Sequence, residues 1–148
     1  MKQENKTREV YEEMLREHEE LRELLGKANQ LTTDCTASVS EVQEAITSLC
    51  EHIGNHFEAE ESGGYFEEAV LQAPRVSERV AALKDQHAQM REQITKMVEF
   101  VGSFQGTSDH WKELGEHVHR FSVDLMQHEN KENELLQEVF TDDIGSKD

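Results

Sequence analysis

Stepped through in alternating intervals of three and four residues, the chain yields four apolar stripes of helical period. Tyr11, Met14, His18, Leu21 and Leu25 form the first, and Val42, Ile46, Leu49, Ile53, His56 and Glu60 the second. The third runs Val76, Val80, Leu83, His87, Met90, Ile94, Met97, Val101, and the fourth Trp111, Leu114, Val118, Phe121, Leu125, His128, Glu132, Leu135, Val139. This spacing keeps successive positions on one face of a packed helix, so four long helices are predicted. Apart from Tyr11, the polar members of the stripes are four histidines and two glutamates; His52, His110, His117 and His119 all fall off them. A carboxylate on a core-facing stripe is costly unless a cation sits opposite it.

Helix stop and start signals agree with the stripes. The first helix is expected from about Thr7 to Leu31, with Thr32-Thr33-Asp34-Cys35-Thr36 breaking it before Ser38 and Glu41 offer a capping box to the second. Ser62-Gly63-Gly64 ends the second, and Tyr65 to Leu71 reads as a short extra helix. Pro74 opens the third long helix, which fades between Gly102 and Gly106. Thr107 or Ser108 caps the fourth, which reaches Phe140 before a polar tail, Thr141 to Asp148, that is expected to fray. Short connectors make neighbouring helices run antiparallel, so the expected fold is an all-α, up-down-up-down four-helix bundle: one domain over residues 1–148 with one common core. At about 1.5 Å of rise per residue, His18 and His56 lie at similar depth from their connector, as do His87 and His128 from theirs.

Composition narrows the function. Only 35% of the 148 residues are hydrophobic, yet they concentrate on the stripes, and a single proline favours an all-α chain. A net charge of −17 argues against nucleic acid or an anionic membrane as partner, and it lowers the local cost of holding a multivalent cation. No apolar run approaches the roughly 20 residues of a membrane span, and Met1-Lys-Gln-Glu-Asn-Lys lacks the apolar stretch of a signal peptide. A cytoplasmic location is expected. Cys35 and Cys50 form neither a CxxC motif nor a secreted-type framework and read as ordinary thiols.

Two copies of His-x-x-x-Glu, His56…Glu60 and His128…Glu132, each stack an imidazole above a carboxylate on one helix face. With His18 and His87, they suit a two-metal centre in which carboxylates bridge and imidazoles fill terminal positions. An oxide or hydroxide bridge would remove further positive charge. No cysteine lies on a stripe, which argues against thiolate zinc or an iron–sulfur cluster. Glu116-x-x-His119 is the only ExxH in the chain, whereas a ferritin-type centre needs two. His18-Glu19-Glu20-Leu21-Arg22 lacks the second histidine of a zinc-protease motif, and no P-loop, dinucleotide fingerprint or nucleophile elbow is present.

These residues resemble the hemerythrin-like (HHE cation-binding) domains over nearly the whole chain. The likeness rests on His18 in His-Glu-Glu-Leu, His56-Phe-Glu-Ala-Glu60-Glu, His87 in Asp-Gln-His-Ala-Gln-Met, and His128-Glu-Asn-Lys-Glu132. It implies a non-haem di-iron centre with Glu60 and Glu132 as bridges and His18, His56, His87 and His128 as terminal ligands. The chain differs from the family's oxygen carriers, which have a His-x-x-x-His pair on the third helix and His-x-x-x-x-Asp on the fourth. Here Leu83 and Arg91 stand four residues from His87. The pattern is similar to an H, HxxxE, H, HxxxE subgroup associated with peroxide decomposition or with iron and oxygen sensing. The open coordination position is left to water, Tyr11, Tyr65, Glu61 or His52, with His52 also a candidate for orienting a ligand.

The expected activity is reaction of two iron ions with O2 or peroxide, catalase-like if enzymatic, in an apolar pocket lined by Met14, Leu21, Ile53, Phe57, Leu83, Met90 and Leu125. An iron, oxygen or redox sensor that couples occupancy to a protein partner is the second reading. A zinc-filled or metal-free interaction bundle is the third.

Overall fold

Thr32 and Thr33 do not break the first helix. Their hydroxyls donate to the Asn29 carbonyl at 3.0 and 2.8 Å, so they bond back into the turn below, and the helix continues to Asp34. Cys35 ends it instead. This residue takes φ 53°, and its N–H donates to the Leu31 carbonyl at 3.1 Å, a left-handed C-terminal cap built on a non-glycine residue. Two cap signals act as expected: Ser38 Oγ accepts from Glu41 N–H at 3.2 Å, and of the two candidates Thr107 caps the last long helix, its Oγ1 accepting from His110 N–H at 3.1 Å.

The computed structural model describes residues 2–62 and 64–142, with the side chains of 8–62 and 64–140. Its helices are α1 (Lys2–Asp34), α2 (Val39–Ser62), α3 (Tyr65–Gln72), α4 (Ser77–Gly102) and α5 (Ser108–Gln137). Pro74–Val76 forms a 3-10 turn ahead of α4, and Glu138–Asp142 a π-type turn after α5. Gly63 and most of the tail expected to fray lie outside the described residues, among which no strand occurs. Gly64 has φ +93°, which favours glycine, at the entry to α3.

The four long helices pack as a ring of seams, α1 on α2, α2 on α4, α4 on α5 and α5 on α1, which makes the fold an all-α bundle. All but three of the stripe residues are buried; Tyr11, Ile94 and Trp111 are partly so. One common core was expected, but the apolar interior falls into two clusters. One gathers Leu21, Ile46, Ile53, Phe57, Phe121 and Leu125 among others. The second, around Met14, Phe66, Leu83, Leu135 and Val139, is closed by α3 and the π-type turn. On α1, α4 and α5 the buried histidines and glutamates lie between a residue of one cluster and a residue of the other, and on α2 His56 and Glu60 follow the last stripe residue of the first cluster, Ile53, with α3 of the second cluster beyond them. A polar layer thus crosses the bundle and divides its core.

Candidate metal centre

Each long helix brings its polar stripe positions to this layer. His18, His56, Glu60, His87, His128 and Glu132 are all between 0% and 7% exposed. Their donor atoms form two overlapping groups: His18, His56, Glu60 and Glu132 in one, and Glu60, His87, His128 and Glu132 in the other. Within each group the atoms lie within 4.8 Å of one another, a spacing able to hold a metal ion, and both glutamates belong to both groups. His18 Nε2 is 2.9 Å from Glu132 Oε1 and 3.8 Å from Glu60 Oε1. His87 Nε2 is 3.3 Å from Glu60 Oε2, His128 Nε2 is 3.0 Å from Glu132 Oε2, and His56 Nε2 lies directly against Glu60 Oε1.

The outward nitrogen of every one of these imidazoles has its own acceptor. His18 Nδ1 donates to Asn133 Oδ1 (2.8 Å), His56 Nδ1 to Glu17 Oε2 (3.1 Å), His87 Nδ1 to Glu61 Oε1 (3.1 Å) and His128 Nδ1 to Gln86 Oε1 (2.7 Å). An oxygen acceptor at Nδ1 places the ring proton there and leaves Nε2, with its lone pair, facing inward. Each donor group therefore has one histidine backed by a carboxylate and one backed by an amide.

The chemistry of this donor set fits cations. Both oxygens of Glu60, Glu132 Oε2 and His56 Nε2 are buried without a hydrogen bond. With Nδ1 protonated on both His87 and His128, their Nε2 lone pairs face each other at 3.0 Å, a repulsion relieved by a positive charge between them. The partners that Glu60 and Glu132 do have are histidines.

At His18 and His56 protons supply positive charge in the metal-free protein. Burial opposes an imidazolium at His18, but Glu132 and Glu60 outweigh it and push its pKa up to about 10. Burial is likewise overcome at His56, where Glu17 and Glu60 raise it to about 9. The same histidines outweigh burial at Glu60 and hold its carboxyl well below the usual range. A raised histidine pKa stabilises the fold fully below the unfolded value of about 6.5, and that contribution is lost as pH rises through the folded value. The melting temperature of the chelator-treated protein is therefore expected to fall by several degrees between pH 6.5 and pH 10. A calorimetric pH series that stays flat or rises over this window would contradict the charge arrangement.

Several of these roles were not legible from the stripes. Glu17, Gln86 and Asn133 sit just off them, and only their seam neighbours reveal what they hold. Glu61, a candidate for an open metal position, instead holds His87 and is clamped by Arg91 at 3.0 and 3.3 Å. His52, a candidate for orienting a ligand, is exposed. His119 is exposed as well, while His110 is half-buried and accepts from Gln105 N–H at 2.8 Å in the α4–α5 connector. Glu129 was missed altogether. It is 1% exposed on the α1–α5 seam with both oxygens free of hydrogen bonds, Arg22 Nε is 3.6 Å away, and burial pushes its pKa up to about 7. A trace existed in the sequence, since Ser122, Glu129 and Asn133 follow one helical seam of α5. The residues expected to line an apolar pocket are all buried, and they belong to the two clusters flanking the layer.

A bundle of four long helices whose core is crossed by buried histidine and glutamate groups able to hold metal ions defines a class of protein. The chain belongs to the hemerythrin family, matching its HHE cation-binding domain model over residues 9–140. No curated protein and no solved structure matches it.

Proposed function

We propose that the chain is a non-haem di-iron protein that reacts with O2 or peroxide. The observation that carries this is the pair of overlapping donor groups sharing Glu60 and Glu132. In this reading His18 and His56 would hold one ion, His87 and His128 the other, and Glu60 and Glu132 would serve both. Bound iron supplies redox chemistry toward a small oxidant. The chain's own residues orient four Nε2 donors, keep the Nδ1 protons on their acceptors and exclude bulk water with the two flanking apolar clusters. Iron suits imidazole and carboxylate together; zinc is the substitute these donors also accept.

The remainder of the proposal has its own support. Hydrogen-bonded pairs across the seams run in opposite directions, His18 with Asn133 and Asn29 with Ser122 on α1 and α5, His128 with Gln86 and Asp124 with Gln93 on α5 and α4. They favour an up-down-up-down order within a single domain. No described helix is long and apolar enough to cross a membrane. The free thiols Cys35 and Cys50 favour a reducing, cytoplasmic setting, and the charge of −17 disfavours nucleic acid as partner. Because the ligands come from all four long helices, occupancy would also couple to bundle stability, which supports a sensor as the second reading.

Elemental analysis of protein purified without added metal is expected to give iron near the two ions that the two donor groups admit, with near-ultraviolet absorption from a coupled pair. His119→Ala, at an exposed position, should retain it. Zinc alone, or no metal after reconstitution with ferrous iron, would overturn the di-iron reading. Sustained gas evolution from peroxide would favour the enzyme; a single bleaching event with loss of helix would favour the sensor.

A further inference from the structure

Two cavities open side by side along the seam between α4 and α5, one of about 310 Å³ and one of about 180 Å³, and Gln86 and Lys131 line both. The larger has four amides in its wall, Gln86, Gln89, Gln93 and Gln127, and also reaches Met90 and His128, which are 3% and 2% exposed. His128 is where the cavity comes closest to the donor groups: its Nε2 lies 3.0 Å from both His87 Nε2 and Glu132 Oε2, so a single imidazole separates the two spaces. Its Nδ1 is held at 2.7 Å by Gln86 Oε1, which makes one amide both a wall of the cavities and the support of a proposed metal ligand. Gln93 Nε2 donates to Asp124 Oδ2 at 2.9 Å and ties the two helices together at the wall.

The lining defines what could enter. Lys131 and Asp124 cancel in charge, and amides present both N–H donors and carbonyl acceptors. An uncharged molecule carrying its own O–H groups and lone pairs pairs with such a wall, whereas dioxygen has no hydrogen to donate. An anion gains one lysine but meets the field of a strongly acidic chain. We propose that the α4–α5 seam is the entry and holding site for hydrogen peroxide or a similarly small, uncharged hydroxylic molecule, with Gln86 linking its occupancy to His128. This inference rests on the metal-pair reading for its purpose, though not for the existence of the site.

Gln89→Trp and Gln127→Trp place bulk at exposed positions of the lining, one on each helix, and neither residue is among the six donors. Leu71→Trp, on exposed α3 surface, is the control. In stopped-flow mixing of the ferrous protein with hydrogen peroxide, both seam variants are expected to keep wild-type iron content and helicity while reacting about ten-fold more slowly; the control should react at the wild-type rate. In the metal-free protein, titration with hydrogen peroxide should shift the Gln86, Gln89 and Gln127 side-chain amide resonances saturably, and the tryptophans should abolish the shift. Seam variants with full iron content and unaltered rates would overturn the entry route while leaving the metal centre standing. If the protein takes up no iron, the metal reading fails, and the resonance titration alone decides the site: absence of saturable shifts overturns it.

Discussion

Glu60→Ala is expected to lower metal affinity by about 3–5 kcal/mol, hundreds- to thousands-fold, the usual scale for removing one partner from a buried charge cluster. Glu60 is fully buried and belongs to both donor groups, with Nε2 of His18, His56 and His87 around its two oxygens. Loss of a terminal histidine would weaken one group; loss of Glu60 weakens both. Glu132→Ala should behave alike, since Glu132 meets His18 and His128 at 2.9 and 3.0 Å. The metal-free protein should respond differently. With a glutamate gone, the adjacent histidines lose the attraction that opposes burial and can release their protons instead of remaining as unpaired charges. Chelator competition should therefore show a large loss of metal affinity, and the fall in metal-free melting temperature between pH 6.5 and pH 10 should be shallower than in the wild type, because the raised histidine pKa values that cause it depend on the glutamates. Metal held as tightly by Glu60→Ala and Glu132→Ala as by His119→Ala would remove the basis of the proposed function.

Phe57→Ala is expected to destabilise the metal-free fold by about 3–5 kcal/mol, the range for truncating a fully buried aromatic side chain. Phe57 is 0% exposed and stacks on His87, with ring centroids 4.3 Å apart and planes 16° from parallel. His56 and His128 lie 6.2 and 6.1 Å from its ring, and the Arg91 guanidinium carbon is 5.9 Å away. The ring is thus an apolar boundary of the polar layer as well as a member of the larger core cluster. Its removal leaves a cavity beside His87, into which the imidazole can tilt away from its inward direction. Urea unfolding should give a lower midpoint, and Phe57→Leu should recover much of the loss. A shift below about 1 kcal/mol would show that the boundary repacks, contrary to the tight packing assigned to it.

Arg91 shows how a departure in sequence acquires meaning from its surroundings. It stands four residues after His87, one of the two positions, with Leu83, at which a His-x-x-x-His pair would need its second histidine. By itself an arginine there only fails to supply an imidazole. In the fold, Arg91 clamps Glu61 through both nitrogens, Glu61 accepts from His87 Nδ1, and burial notwithstanding, Arg91 and His87 hold the Glu61 carboxyl below its ordinary pKa. A side chain that cannot itself bind a cation thus supports one of the buried imidazoles.

Periodicity alone identified the four long helices, the buried face of each and the six histidines and glutamates that are buried there, because the 3.6-residue turn makes facing a local property of spacing. Residue type placed the Ser38 cap and narrowed the other to Thr107 or Ser108, since a cap bond spans only three residues. Tertiary structure decided what depends on neighbours remote in sequence. It made Glu17, Glu61, Gln86 and Asn133 the Nδ1 partners, buried Glu129 against α1, divided the core into two clusters and opened the amide-walled seam. Those features turn on which side chains meet across a seam and at what rotation. A helix's own sequence carries its periodicity but not the identity of the residue that packs against it.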